Sequence, residues 1–156
     1  MTDEQQPVFA AQRIYLKDAS YEAPNAPGIF LKEWNPEVNV EMDNSVTTVD
    51  ENGVYDVQLK ITITAKTADD TAYIAEVVQG GIFLITGFEE KDRQRLTGSV
   101  CPDTLYPYAR EALSSLMTKG SFPPFLLSPV NFDYIYNRRL EEESAQAEAQ
   151  TTASEA

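Results

Sequence analysis

Few side chains in this sequence could carry out chemistry. Carboxylates pair at Asp18 with Glu22, Asp69 with Asp70, and Glu89 with Glu90. Two carboxylates can divide acid and base roles when an apolar pocket separates their pKa values. Asp69, Asp70, Glu89 and Glu90 fall in turn-like or charged stretches where water reaches them, and no apolar pocket is evident around Asp18 and Glu22. Cys101 precedes a helical pattern, and a helix start favours a thiolate, but the chain has no histidine to serve as its base. The missing histidine also removes the commonest metal ligand, and a single cysteine cannot build a structural zinc site. Neither GxGxxG nor GxxxxGK[ST] occurs. The reading is of a protein that is not an enzyme and uses no metal or cofactor.

Apolar material in irregular backbone is the more informative feature. APNAPGIF at 23–30 holds two prolines, an Asn and a Gly, which rule out regular structure, and Tyr21, Ile29, Phe30, Leu31 and Trp34 border or occupy it. SFPPFLLSPV at 121–130 is extended by three prolines and carries Phe122, Phe125, Leu126 and Leu127. Such residues either anchor their loops or form a sticky surface. Aromatics in adaptable segments suit a binder of varied apolar peptides, without specifying the ligand.

A chain of 156 residues supports one domain with a real core. The net charge is −13; five of 25 acids lie in 141–156, which leaves the body to Leu140 at −8. Phosphate backbones would be repelled, so nucleic acid is not an expected partner, whereas basic partners are plausible. No run of eighteen apolar residues offers a membrane span. An acidic N-terminus without a secretory signal and one cysteine point to a reducing cytosol.

The elements that must position these residues follow from periodicity. Phe9–Glu22 reads as a strand, with Asp18 and Glu22 on one side if it is unbroken. Val38, Val40 and Met42 alternate with polar residues. Tyr55 to Ala65 alternate cleanly, and a fourth strand runs from about Ala72 to Ile85 through Gly80-Gly81, read as a bulge or a close approach. VDENG at 49–53 and TADDT at 67–71 make the turns, so the sheet is antiparallel. Glu89–Leu96 reads as a helical turn or two ending before Gly98. The stretch 102–119 is amphipathic, with Leu105, Tyr108, Ala109, Ala112, Leu113, Leu116 and Met117 on one face and Gly120 in the left-handed position after it. Pro107 predicts a kink. The outer face carries little charge, which fits either a plain surface helix or one that touches a partner. A second helix of about three turns starts near Asn131, with Phe132, Ile135, Tyr136 and Leu140 on one stripe. Residues 1–8 are read as flexible and 141–156 as a disordered acidic tail around a 9–140 domain.

RIYLKDASYEAPNAP (13–27), EVVQGGIF (76–83), CPDTLYPYARE (101–111) and SPVNFDYIY (128–136) resemble the protein-export chaperone SecB family. That resemblance implies an α+β fold, a four-stranded antiparallel sheet with one long and one short helix, assembled as a dimer of dimers. It implies an ATP-independent chaperone in the cytoplasm that binds non-native precursor proteins and delivers them to the SecA motor. The implied client groove carries Tyr21, Phe30, Trp34, Phe132, Ile135, Tyr136 and Leu140. The implied docking surface for SecA's basic, zinc-holding C-terminal segment is Asp18, Glu22, Ile74 and Glu76. The implied oligomer interface involves Ala75, Val77 and Gln79 with Leu105, Tyr108 and Ala112 of the long helix. Arg138 and Arg139 depart from the family pattern at the end of the groove. Rival readings are a peptide-binding holdase unconnected with secretion and a small enzyme using the grooves for substrate.

Overall fold

A computed structural model describes residues 6–154. Four long strands, β1 (Val8–Glu22), β2 (Glu37–Thr48), β3 (Val54–Thr67) and β4 (Asp70–Thr86), form one antiparallel sheet in the order β1-β4-β3-β2. The expected loose N-terminal segment therefore ends earlier than proposed, because Val8 already pairs with Thr86, while residues 1–5 lie outside the described residues. The register shifts in β1 between Ala11 and Arg13 and between Leu16 and Asp18, so that strand is not unbroken, and the β3–β4 ladder shifts once, between Ala65 and Lys66. Gly80 and Gly81 keep their register; they are glycines because of close approach. A Cβ on Gly80 would lie 2.3 Å from the Tyr15 ring, and one on Gly81 2.6 Å from the Phe83 ring.

The two faces of the sheet differ as the period of two requires. On one face Leu59, Ile61, Ile63, Ala65, Tyr73, Ala75 and Val77 are fully buried. The cover is helical. α1 (Glu90–Arg95) passes through a π turn at Leu96–Val100 into α2 (Cys101–Lys119), so Gly98 does not end the helix as predicted. It makes room instead: a Cβ there would meet the Tyr136 ring at 2.8 Å. Pro107 is accommodated inside α2. α2 buries Leu105, Tyr106, Ala109, Leu113 and Met117 against β3 and β4, and Tyr108, expected on that face, is 51% exposed. A Schellman arrangement closes the helix: the Phe122 amide donates to the Met117 carbonyl at 3.2 Å and the Ser121 amide to that of Thr118 at 3.1 Å. The left-handed residue is Ser121, with φ 65°, rather than Gly120, whose φ is −81°. Gly120 is needed for space, since a Cβ would fall 1.8 Å from the Tyr21 hydroxyl.

Residues 121–130 run back beside α2, pinned where Tyr106 donates to the Ser128 carbonyl at 2.5 Å. α3 spans Phe132–Ser154, far longer than three turns, and corrects the expectation of a disordered tail. Ala, Glu and Gln favour helix without needing a core. From Asn137 onward every described residue is exposed, so this part gains little from packing beyond the contact of Arg139 with Asn44. Its first turn is held firmly. Asp133 accepts from Arg95 Nε at 3.1 Å, Arg95 Nη2 at 2.5 Å and Ser99 Oγ at 3.0 Å, and Phe132 packs edge-on against Tyr106.

The two close approaches are testable. Gly120→Ala should destabilise by about 1–3 kcal/mol, the usual cost of overpacking a tight site. Gly98→Ala should loosen α3 more than it unfolds the sheet. Urea unfolding at fixed protein concentration, with hydrogen exchange of residues 132–140, separates the two; wild-type stability for Gly120→Ala would show that Tyr21 is free to move aside.

Candidate functional site: an apolar trough and an acidic sheet face

The seven residues expected to form one groove lie at two ends of β2. At the first end, the 23–34 loop folds its 3₁₀ turn (Gly28–Leu31) so that Ile29 is buried and Phe30 half-exposed. Trp34 and Phe30 pack at a tilt around Phe122 at 5.4 and 5.2 Å between centroids, and Phe122 reaches Tyr73 at 5.1 Å. Tyr21 lies 6.4 Å from Tyr73. The loop is tied to the sheet by Asn25 Nδ2 donating to the Thr71 carbonyl at 2.9 Å and by an ion pair of Lys32 with Asp70. At the second end, Phe132, Ile135 and Tyr136 of α3 meet Met42 and Leu59 around a cavity of about 60 Å³. Leu140 is 41% exposed, one turn further along α3.

β2 joins the two ends. Val38, Val40, Met42 and Asn44 pair with Ala65, Ile63, Ile61 and Leu59, so they share the helix-side face. None of these four is fully buried. From Val38 to Asn44 the strand covers roughly 20 Å at its ordinary rise. The result is a trough with an apolar floor, aromatic residues at one end and α3 at the other. Phe125 and Leu126 of the 121–130 segment are exposed beside it. β2 is also an edge strand, so its outer amides and carbonyls have no neighbour strand among the described residues.

Sequence reasoning missed Tyr73 and Phe122 as the base of the aromatic end, and Val38, Val40 and Met42 as the floor. Their period-two pattern was visible; what was not visible is that α2 leaves the β2 column uncovered. Phe132 was counted as groove lining but is buried between Tyr106 and the sheet, and serves as an anchor.

The opposite face carries the predicted acidic set. β1 and β4 are neighbours, with Asp18 across from Val78, Ser20 from Glu76 and Glu22 from Ile74. The bulge at Lys17 falls before Asp18, so Asp18 and Glu22 do share this face with Ile74 and Glu76. Glu76 is already engaged: it accepts from Thr62 Oγ1 at 2.8 Å and lies 3.7 Å from Lys60 Nζ. Further up this face the Tyr15 hydroxyl donates to Asp56 at 2.6 Å, and burial together with that carboxylate raises the phenol's pKa.

The expected interface residues divide differently. Ala75, Val77, Gln79 and Leu105 are buried inside the single chain, and Gln79 Nε2 donates to the Tyr15 carbonyl at 2.9 Å. They cannot touch a second copy directly; they can only set where α2 sits. Tyr108 and Ala112 remain at the surface. Cys101 is fully buried and desolvation pushes its thiol to about 12, so it is protonated at neutral pH and cannot act as a nucleophile.

Residues 2–143 match the family described as preprotein translocase subunit SecB. The chain is 46% identical over 151 residues to the protein-export protein SecB of Alcanivorax borkumensis, covering 96% of each. It is 48% identical over 144 residues to that of Hahella chejuensis, covering 92% of this chain and 90% of the other. Among solved structures, the Rv1957 SecB-like chaperone of Mycobacterium tuberculosis, bound to a ChAD peptide from the Rv1956 HigA1 antitoxin, superposes with a TM-score of 0.65. It has 18% identity, and the match covers 78% of this chain and 90% of that one, so the likeness concerns the fold. The sheet, the helical cover and the sequence over nearly its whole length agree: this chain belongs to the SecB family.

Proposed function

We propose that this protein is an export chaperone that holds non-native precursor polypeptides, without ATP, in the β2 trough. The observation that carries the reading is a long apolar surface left open beside an unpaired strand edge. An extended polypeptide can hydrogen-bond to the β2 edge through its own backbone, whatever its sequence, while alternate side chains meet the trough floor. Folded proteins have no free backbone to offer, so the site selects for the non-native state. The family names of its relatives support export as the purpose. A general holdase outside secretion would use the same trough, and capture of SecA by the acidic face distinguishes the two.

Delivery would use that other face. Glu22 faces Ile74 across the β1–β4 ladder, with Glu76 and then Asp18 further along the same face, and a basic segment such as the zinc-holding C-terminus of SecA fits by charge and by one apolar contact. Complementary charge mainly speeds and steers such encounters, and salt weakens it.

A tetramer, as a dimer of dimers, is the proposed working form. Tyr108 and Ala112 lie on the flank of α2 away from Tyr106, by the helical angle of about 100° per residue. Leu16, on the helix side of edge strand β1, is 49% exposed. Uncovered apolar groups there suit a second copy better than water. No helix among the described residues is long and apolar enough to cross a membrane.

Three outcomes are expected. Phe30→Ala with Ile135→Ala removes exposed groups from both ends of the trough without touching the core, and should weaken binding of an unfolded precursor about tenfold or more, given roughly 1 kcal/mol for each half-buried side chain. Calorimetry on the wild type should give a negative heat-capacity change; unaltered affinity in the double variant moves the client site elsewhere. Asp18→Asn with Glu22→Gln should leave the unfolding midpoint nearly unchanged, since exposed charges contribute little, yet weaken a titration of the SecA segment. Wild-type affinity without salt dependence would sink the acidic face as its dock. Tyr108→Asp should shift light scattering of the native protein to a smaller mass with folding retained; Gln79→Arg is the poorer test, because it strikes the core of the single chain.

A further inference from the structure

Two hydroxyls are buried without a partner beneath the aromatic end of the trough. Tyr73 is fully buried, and neither its hydroxyl nor that of Tyr21 has a hydrogen-bond partner among the described residues. Such burial is costly, and nearly every buried polar group in a folded protein is paired. Burial also raises the pKa of both phenols, so they remain protonated donors at neutral pH. Their cover is the end of α2 and the segment after it. Gly120 lies against the Tyr21 hydroxyl, and the Phe122 ring packs on Tyr73 at 5.1 Å and on Trp34 at 5.4 Å. That cover is loosely held and strained. Ser121 sits at φ 65°, a left-handed conformation that a residue with a Cβ seldom adopts. Pro123 and Pro124 have no amide to donate. Between the Phe122 amide and the Ser128 carbonyl, the backbone makes one hydrogen bond among the described residues. It runs from the Phe125 amide to the Met117 sulfur at 3.3 Å, and a thioether is a weak acceptor. Pro123 to Leu126 are exposed. The 23–34 loop, by contrast, is tied to the sheet at Asn25 and Lys32.

We propose that residues 120–126 form a lid over a covered part of the client site, and that the hydroxyls of Tyr21 and Tyr73 are the donors it withholds. A client lifts Phe122, sets an apolar side chain in its place, and accepts from both hydroxyls with its backbone carbonyls. The inference rests on the trough being the client site. Ser121 is the hinge at one end, where leaving the left-handed region relieves strain. The bond of Tyr106 to the Ser128 carbonyl holds the other end. Without a client the lid stays shut, because only the shut lid gives the Phe122 ring its contacts with Phe30, Trp34 and Tyr73. A ligand shifts such an equilibrium only by interacting differently with the two states. Here the difference is the hydrogen bonds: the client replaces ring contacts like for like and adds bonds that the closed state lacks. Every polypeptide has backbone carbonyls, so these bonds select an extended, unpaired chain and no particular sequence.

The test removes the hydroxyls and keeps the rings, in the full chain. With Tyr21→Phe and Tyr73→Phe together, the closed lid no longer buries unpaired donors, so the urea midpoint should rise. Acrylamide quenching of Trp34, the only tryptophan, should fall. Affinity for a polypeptide kept unfolded by carboxymethylated cysteines should drop about fivefold or more, the ratio that one ordinary hydrogen bond supports. Ser121→Gly relieves the hinge in the closed state and touches no ring, and it should move all three readings in the same directions. An unchanged or lower midpoint in the double Tyr variant would mean that the hydroxyls are already paired under the shut lid, and would overturn the proposal. A higher midpoint with wild-type affinity would overturn it too, because the client then makes no bond to them. The trough is tested separately, by comparing the wild type with Phe30→Ala plus Ile135→Ala on the same unfolded probe. If those two bind it alike, the client site lies elsewhere and the lid covers no part of it.

Discussion

One helix is too narrow for the sheet it covers. Four strands spaced about 4.8 Å apart span roughly 14 Å between the outer axes, and a helix with its side chains is about 10–12 Å across. α2 lies over β3 and β4, and there the burial is complete: Ile61, Ile63, Ala75 and Val77 have no exposed surface. The outer columns are left short of cover. Beside β1, Ile14 is half-buried and Leu16 exposed; beside β2, Val38 and Val40 are half-buried and Met42 exposed. Both columns are apolar on the helix side. Exposed apolar columns of this kind invite aggregation unless something covers them, and the proposed function assigns a second copy to β1 and a client to β2.

The cover of the β2 side is built to be partial. The 121–130 segment contributes Phe122 and Leu127 to the core but leaves Phe125 and Leu126 outside. Prolines keep it from becoming a helix that would close the trough or a strand that would pair with β2. α3 covers only one end, and its hold is concentrated in one turn: the carboxylate of Asp133 takes three hydrogen bonds from Arg95 and Ser99, and the Tyr136 ring fits where Gly98 has no side chain. Beyond Asn137 the helix touches little, so the end of the trough is framed by a rigid first turn and an exposed remainder.

The strands were legible because alternation is a local signal, and β3 in particular follows it from Tyr55 to Ala65. The sheet neighbours were not local: nothing in the periodicity of β1 says that it pairs with β4, and that pairing brings Asp18 and Glu22 beside Glu76. The resemblance supplied it. Two glycines misled for a physical reason. Gly98 and Gly120 read as a break and a cap, because glycine's backbone freedom is the commoner cause; both answer instead to an aromatic ring lying against them, as does Gly80, for which close approach was one of the two readings. The tail misled in the opposite way, since lack of apolar residues argues against packing but not against helix. The periodicity of α2 misled in one place, where Leu105 and Tyr108, three residues apart, were read on one face. The helix turns its core side through Tyr106 instead, and so leaves Tyr108 out.

The period of two also explains how a chaperone could hold a client and meet a motor at once. Along β4, Ala75 and Val77 point to the helix while Ile74, Glu76 and Val78 point away, so each strand serves two surfaces. The trough and the acidic face are separated by the thickness of the sheet and lie at opposite margins, β2 on one side and β1 with β4 on the other. A partner docked on Asp18 and Glu22 therefore need not displace a client lying along Val38 and Met42. Glu76 is the residue between them. Its carboxylate is oriented by Thr62 and shared with Lys60, both on β3, the strand that pairs with β2. Charge on the open face is thereby tied to the strand that pairs with the trough strand, while the apolar layer between them would keep the two proposed kinds of recognition, one electrostatic and one hydrophobic, from competing for the same side chains.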